Sequence, residues 1–133
     1  MILKKGTSIY QQIADFGIDQ LLNGSWTDGG RIPSVRSLAI DIGVTPNTVM
    51  RAYRDLEDLG VVETKRGTGF FVADNGRDAA LTVRRREFLD DLLPGLRRNL
   101  RLLGISPREL VDLLEAPDDE TTPDPSTDNT TES

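Results

Sequence analysis

Residues 34–60 read SVRSLAIDIGVTPNTVMRAYRDLEDLG, and their punctuation divides them into two short helices. Ser34 is placed to cap the first, Val35, Leu38, Ala39 and Ile42 recur on its inward face, and Gly43 ends it. Thr45-Pro46 opens the second, with Thr as cap and Pro at the first helical position, where a missing N–H costs nothing. Val49, Ala52, Tyr53, Leu56 and Leu59 form its buried stripe, Gly60 closes it, and Asn47, Arg51 and Arg54 fall on the opposite side. Only Gly43, Val44 and Thr45 separate the two helices, a spacing that predicts a helix-turn-helix.

Upstream, Ser8 precedes a helix carrying Ile9, Ile13, Phe16 and Leu21 at helical spacing, stopped by Asn23-Gly24. Residues 24–33, with Gly24, Gly29-Gly30 and Pro33, read as a loop. Downstream the period changes to that of strands. Val61 to Lys65 and Phe70-Phe71-Val72 flank the turn Arg66-Gly67-Thr68-Gly69, which predicts a hairpin with a basic tip. Three helices followed by a hairpin define a winged helix-turn-helix, so the fold class expected is mostly α with a small β-hairpin.

Four motifs sharpen this reading: Ser8-Ile-Tyr-Gln-Gln-Ile13, Arg31-Ile-Pro-Ser-Val-Arg-Ser-Leu-Ala39, Gly43-Val-Thr-Pro-Asn-Thr-Val-Met-Arg-Ala-Tyr53 and Gly67-Thr-Gly-Phe-Phe-Val72. In this order and spacing they resemble the DNA-binding domain of the GntR family of bacterial transcription regulators. The segment Asn47 to Tyr53, followed by only about forty helical residues, resembles its short YtrA-like subfamily. The resemblance implies a sequence-specific DNA-binding regulator that represses an operon, with transporter genes as the targets that the subfamily suggests. It also implies that Arg36, in the Pro-Ser-x-Arg motif, touches DNA. Pro46 and Met50 stand where many members carry basic residues, and Val35 and Phe70 also depart from common choices.

Physical chemistry supports a DNA surface made of Ser34, Arg36, Thr45, Asn47, Thr48, Arg51, Arg54, Lys65, Arg66 and Gly67. Arginine bonds guanine, and asparagine adenine, in bidentate fashion in the major groove. Arg36 lies near a helix N-terminus, whose free N–H groups favour phosphate. Lys65 and Arg66 would lie toward the minor groove or the backbone. Taken singly, the arginines read equally well as solvated charges, Ser34 and Thr45 as caps, and Gly67 as a turn residue. The joint pattern carries the argument.

The chain has 133 residues, 29% of them charged, and a net charge of -6. Residues 1–74 hold 8 basic and 9 acidic side chains, residues 75–115 hold 8 and 7, and residues 116–133 hold 6 acids and no base. The expected organisation is a DNA-binding domain at 1–74, a helical dimerisation segment of two helices at 75–115 and a disordered acidic tail at 116–133. Leu89, Leu92, Leu93, Leu96, Leu100 and Leu103 fall on one helical face, which Pro94-Gly95 should kink or break near the middle. Their cover is either the same chain's winged domain or a second copy; a homodimer reading an inverted-repeat operator in double-stranded DNA is the favoured outcome. The Arg84-Arg85-Arg86 run reads as a solvated face.

The absence of Cys and His excludes disulfides, thiolate chemistry, imidazole catalysis and His-based metal sites. No nucleophile–base pair or ligand cluster stands out, so no enzyme activity, cofactor or metal is expected. No apolar run is long enough to cross a bilayer and Met1 to Gly6 lacks a signal-peptide core, so a cytoplasmic protein is expected, with no membrane partner. A small-molecule effector is not encoded in any motif. The rival class is a winged-helix docking module that binds protein instead of DNA, which the net negative charge favours. The exposed set Arg36, Asn47, Arg51, Lys65 and Arg66 argues against it.

Overall fold

Hydroxyls and glycines set the limits of the helices. A computed structural model describes residues 7–118 of the chain. Helix α1 spans Ile9–Leu22, and at its start Ser8 Oγ accepts the Gln11 N–H at 3.3 Å while Gln11 Oε1 accepts the Ser8 N–H. This reciprocal cap satisfies two amides that have no partner inside the helix. In α2, Val35–Ile42, Ser34 Oγ accepts the Ser37 N–H at 3.0 Å, and Gly43 ends the helix with a φ of 84°, a left-handed conformation that favours glycine. Helix α3 spans Pro46–Asp58.

Thr45 stands at the cap position of α3 but does not cap it with its side chain. The Thr48 N–H that such a cap would take is bonded to the Thr45 carbonyl at 3.1 Å, and the Thr45 hydroxyl pairs instead with the Thr48 hydroxyl at 2.8 Å. The hairpin follows as β1, Val62–Lys65, and β2, Gly69–Val72, antiparallel with Val62 opposite Val72 and Lys65 opposite Gly69. The loop expected at 24–33 contains a short further pairing. Arg31 bridges Phe71, the Ile32 N–H donates to the Phe70 carbonyl at 3.1 Å, and the Val72 N–H donates to the Gly30 carbonyl at 2.8 Å. The hairpin therefore has a third, short partner along β2.

The core gathers Ile13, Ile18 and Leu21 of α1, Leu38 and Ala39 of α2, Val49, Ala52, Tyr53 and Leu56 of α3, and Val61, Val62 and Val72. Ile9 and Leu59, expected inside, are 42% and 46% exposed, because each lies at a helix end beyond the packed middle. Tyr53 is fully buried, its hydroxyl donates to the Pro33 carbonyl at 2.7 Å, and its ring meets Phe70 edge-on with centroids 4.9 Å apart. Burial pushes the Tyr53 phenol above its ordinary value, because the charged form would be desolvated.

The chain forms two compact units, one ending at Asp91 and one beginning at Leu92. The boundary drawn from composition after residue 74 thus falls inside the first unit, which also holds α4, Gly76–Glu87. Ala80 of α4 joins the core. Arg84, expected in a solvated run, instead clasps α1: it reaches Asp19 at 2.7 Å, Asp15 at 3.4 Å and its neighbour Glu87 at 3.0 Å. Partial burial disfavours its charge, but the hydrogen bonds to Asp19 and Glu87 and the nearby carboxylates outweigh that and raise its pKa.

The interruption expected at Pro94-Gly95 falls just before the proline, as a π-helical turn at Phe88–Leu92 followed by α5 at Leu93–Leu103. Pro94 has no N–H to offer the carbonyl four residues back, and the wider turn lies immediately before it. The leucine stripe is consequently not one continuous helical face, since the wider turn changes the angular spacing between Leu89 and Leu93. Gly104 ends α5, and α6, Pro107–Glu115, is capped by Ser106 Oγ on the Glu109 N–H at 3.1 Å. Two helices were expected after residue 75, and the described residues hold three, α4, α5 and α6, with the π-helical turn between the first two. Nearly all of the tail expected to be disordered lies outside the described residues.

Two substitutions test this packing. A Cβ at Gly76 would run into Val72 Cγ1 and lie 2.7 Å from the Val61 carbonyl oxygen, so Gly76→Ala is expected to destabilise the first unit by about 1–3 kcal/mol in urea unfolding. Tyr53→Phe leaves the Pro33 carbonyl without its donor and is expected to cost about 0.5–1.5 kcal/mol near neutral pH. The raised folded pKa means that this contribution is fully present below the unfolded value of about 10 and is lost as pH rises beyond it. The gap between wild type and Tyr53→Phe should therefore narrow above pH ~10, read from unfolding curves across an alkaline series.

Candidate nucleic-acid interface

Helix α3 owes its orientation to one face. Val49, Ala52, Tyr53 and Leu56 are buried, which leaves Asn47, Arg51 and Arg54 exposed on the far side. A helix anchored by four such positions cannot roll without exposing them, so the outward set is fixed relative to the core. Thr48 is half-buried and shares its hydroxyl with Thr45 at the N-terminus. There Pro46 has no N–H and the Thr48 N–H turns back to the Thr45 carbonyl, so the hydroxyl pair is what the helix start offers an anionic oxygen.

Two contacts tie α3 to the other expected parts of the surface. The Tyr53 hydroxyl bond to Pro33 holds α3 against the residue just before Ser34, where α2 begins and where Arg36 is exposed. On the other side the Thr64 hydroxyl donates to Glu57 Oε2 at 2.6 Å, joining β1 to the last turn of α3. Beyond Thr64, Lys65, Arg66 and Gly67 are exposed at the hairpin tip, and Gly67 adopts a φ of 74° there. Ser34, Arg36, Thr45, Asn47, Thr48, Arg51, Arg54, Lys65, Arg66 and Gly67 all belong to the first compact unit.

Two residues absent from the expected set stand out. Tyr10, in the first turn of α1, lies under Arg51: the guanidinium carbon is 3.9 Å from the ring centroid, and Nη2 donates to the hydroxyl at 3.2 Å. Arg31 donates to the Thr68 carbonyl at 2.7 Å and lies over the Phe71 ring, which also carries the Lys65 ammonium at 4.5 Å. Arg31 therefore braces the hairpin tip from the neighbouring strand. Both residues sit in motifs quoted above. Their partners are 41 and 37 residues away in sequence, so no local spacing reveals the pairing.

Among the described residues, no group of three or more His, Cys, Asp or Glu is placed to hold a metal ion. No described helix is long and apolar enough to cross a membrane.

Residues 8–72 match the family described as bacterial regulatory proteins, gntR family. The HTH-type transcriptional regulator YhcF of Bacillus subtilis is 35% identical over 104 residues, which span 78% of this chain and 84% of YhcF. The HTH-type transcriptional repressor YtrA of the same organism is 40% identical over 74 residues, 56% of this chain and 57% of YtrA. Among solved structures, a transcriptional regulator of the GntR family from Bacteroides thetaiotaomicron superposes with a TM-score of 0.70 at 40% identity, over 80% of this chain and 93% of that one. With a winged helix-turn-helix whose third helix exposes Asn47, Arg51 and Arg54, and a likeness that spans 84% of YhcF and 93% of the Bacteroides regulator, this chain is a DNA-binding transcription regulator and belongs to the gntR family.

Proposed function

We propose that this regulator acts as a homodimeric repressor, its two α3 helices reading the half-sites of an inverted-repeat operator. The observation that carries the reading is the outward face of α3, where Asn47, Arg51 and Arg54 stand exposed beside the paired hydroxyls of Thr45 and Thr48. In this scheme α3 enters the major groove, Asn47 and Arg51 meet base edges, and Thr48 with Thr45 meets phosphate. Arg36 and Ser34 at the start of α2, Arg54 on α3, and Lys65, Arg66 and Gly67 at the wing fix the register through the backbone. The repressor assignment follows the likeness to YtrA, and with it the inference that an operon, of transporter genes by subfamily, is the target. Such a protein works where the DNA is, in the cytoplasm.

Residues 1–74 supply the DNA contacts in this proposal, and residues 75–115 the dimer. Support for the second part comes from apolar exposure. Leu89, Leu92, Leu96 and Leu103 are exposed, and Leu93 and Leu100 are half-buried. Val111, Leu113 and Leu114 on α6 are exposed too. A monomer rarely leaves so much aliphatic surface in water, and a second copy is the commonest cover. Two-fold symmetry would then place the recognition helices about 34 Å apart, or a multiple of that, to match successive turns of DNA.

Three experiments test the reading. Binding to a duplex selected from a random pool should weaken steeply with salt, as the cations displace counterions. Arg51→Ala should cost about 1–3 kcal/mol on that duplex and relax base preference, whereas Lys65→Ala should weaken all sequences alike. Equal proportional losses on selected and random DNA would overturn these roles. Leu96→Asp with Leu100→Asp should place carboxylates in the dimer contact and release monomers, with weaker operator binding because the half-sites no longer act together. Light scattering that finds wild-type protein monomeric at tens of micromolar (roughly the range in which weak dimers form) would overturn the dimer.

A further inference from the structure

We propose that Tyr10 is a positioning residue for operator recognition: it holds the Arg51 guanidinium against its ring so that the guanidinium edge is presented to a base. This rests on the reading of Arg51 as a base-contacting residue. Tyr10 lies outside the helix-turn-helix and outside the wing, in the first turn of α1.

The geometry is specific. The Arg51 guanidinium carbon sits 3.9 Å from the Tyr10 ring centroid, within cation–π contact, and Nη2 donates to the phenolic oxygen at 3.2 Å. Stacking uses the face of the guanidinium, whereas bidentate recognition of guanine uses its edge. The two are compatible, because Tyr10 takes one of the five N–H groups and leaves the others for a base. Lysine has no such division between face and edge, so the pairing is suited to arginine in particular.

Tyr10 is a stable platform. It is half-buried and packs against the core, and the Ser8–Gln11 capping box fixes the helical turn that carries it. An exposed arginine on α3 would otherwise sample many rotamers, and ordering it on DNA would cost affinity each time. Held over the ring, Arg51 loses that freedom before DNA arrives. The gain is therefore in discrimination, since a pre-placed fork meets the right base at full strength and cannot easily swing to accommodate the wrong one.

The test measures affinity of the full chain for a duplex selected by the wild type and for a random duplex of equal length, and takes the ratio. The variants are Arg51→Ala, Tyr10→Leu, Tyr10→Phe and the double variant Tyr10→Leu/Arg51→Ala, each with its thermal unfolding recorded. Arg51→Ala should lower the ratio about five- to 100-fold. Tyr10→Leu should lower it about two- to fivefold, and Tyr10→Phe, which keeps the ring, should retain most of it. The double variant should do no worse than Arg51→Ala alone, because Tyr10 acts through Arg51. If the losses multiply, or Tyr10→Leu weakens both duplexes in proportion, or its ratio rises, the positioning role is overturned while base reading by Arg51 stands. If Arg51→Ala leaves the ratio unchanged, base reading itself fails and the positioning role falls with it. Tyr10→Phe keeps the question answerable should Tyr10→Leu unfold.

Discussion

A buried phenol must find an acceptor, and in this chain that requirement organises the DNA-binding unit. Tyr53 is wholly enclosed, so its hydroxyl cannot turn to water and bonds the Pro33 carbonyl instead. Pro33 immediately precedes the cap of α2, and the Tyr53 ring lies edge-on to Phe70 of the hairpin. One side chain on α3 thus sets the separation of α3 from the start of α2 and from the wing. These are the three parts on which the proposed DNA contacts stand. Glu57 and Thr64 add a second tie between α3 and the wing, at the exposed end where the Tyr53 contact does not reach.

The elements of the fold were legible because their signals are local. Ser8 and Ser34 cap the helices they precede, Gly43 and Gly104 end theirs, and the hairpin follows the change of period after Gly60. What stayed hidden depends on partners distant in sequence. Nothing near Arg31 indicates that its strand pairs with Phe71, and nothing near Arg84 shows that α1 brings Asp15 and Asp19 to meet it. The Tyr10–Arg51 stack is of the same kind. Thr45 shows the opposite limit. Its local pattern is that of a cap, yet the tight turn at Thr48 takes the amide that it would have held.

Net charge is a poor guide to how such a chain meets a polyanion. The sum is -6, but 6 of the acids lie after residue 115, and the first 74 residues are nearly balanced. Within α3 the sign is graded along the axis: Arg51 and Arg54 come first, then Asp55, Glu57 and Asp58 in the last turns. Carboxylates at a helix C-terminus oppose the macrodipole and cost some helix stability, typically ~0.3–1 kcal/mol each. They also repel phosphate.

The pairing of Gly30 to Ile32 with β2 makes the wing a product of two distant stretches of sequence. Its inner strand leads through Pro33 directly into α2, and Arg31 holds the tip from that strand. The hairpin is therefore not a separable module. In a chimera built between regulators of this type, moving residues 61–72 alone would divorce β2 from its partner and the tip from its brace. The stretch within which the ties between this strand and the hairpin close begins at Gly29 and runs through Val72. In the divergence of such proteins, the approach to α2, the recognition helix and the wing would accordingly be inherited, or exchanged, as one cassette.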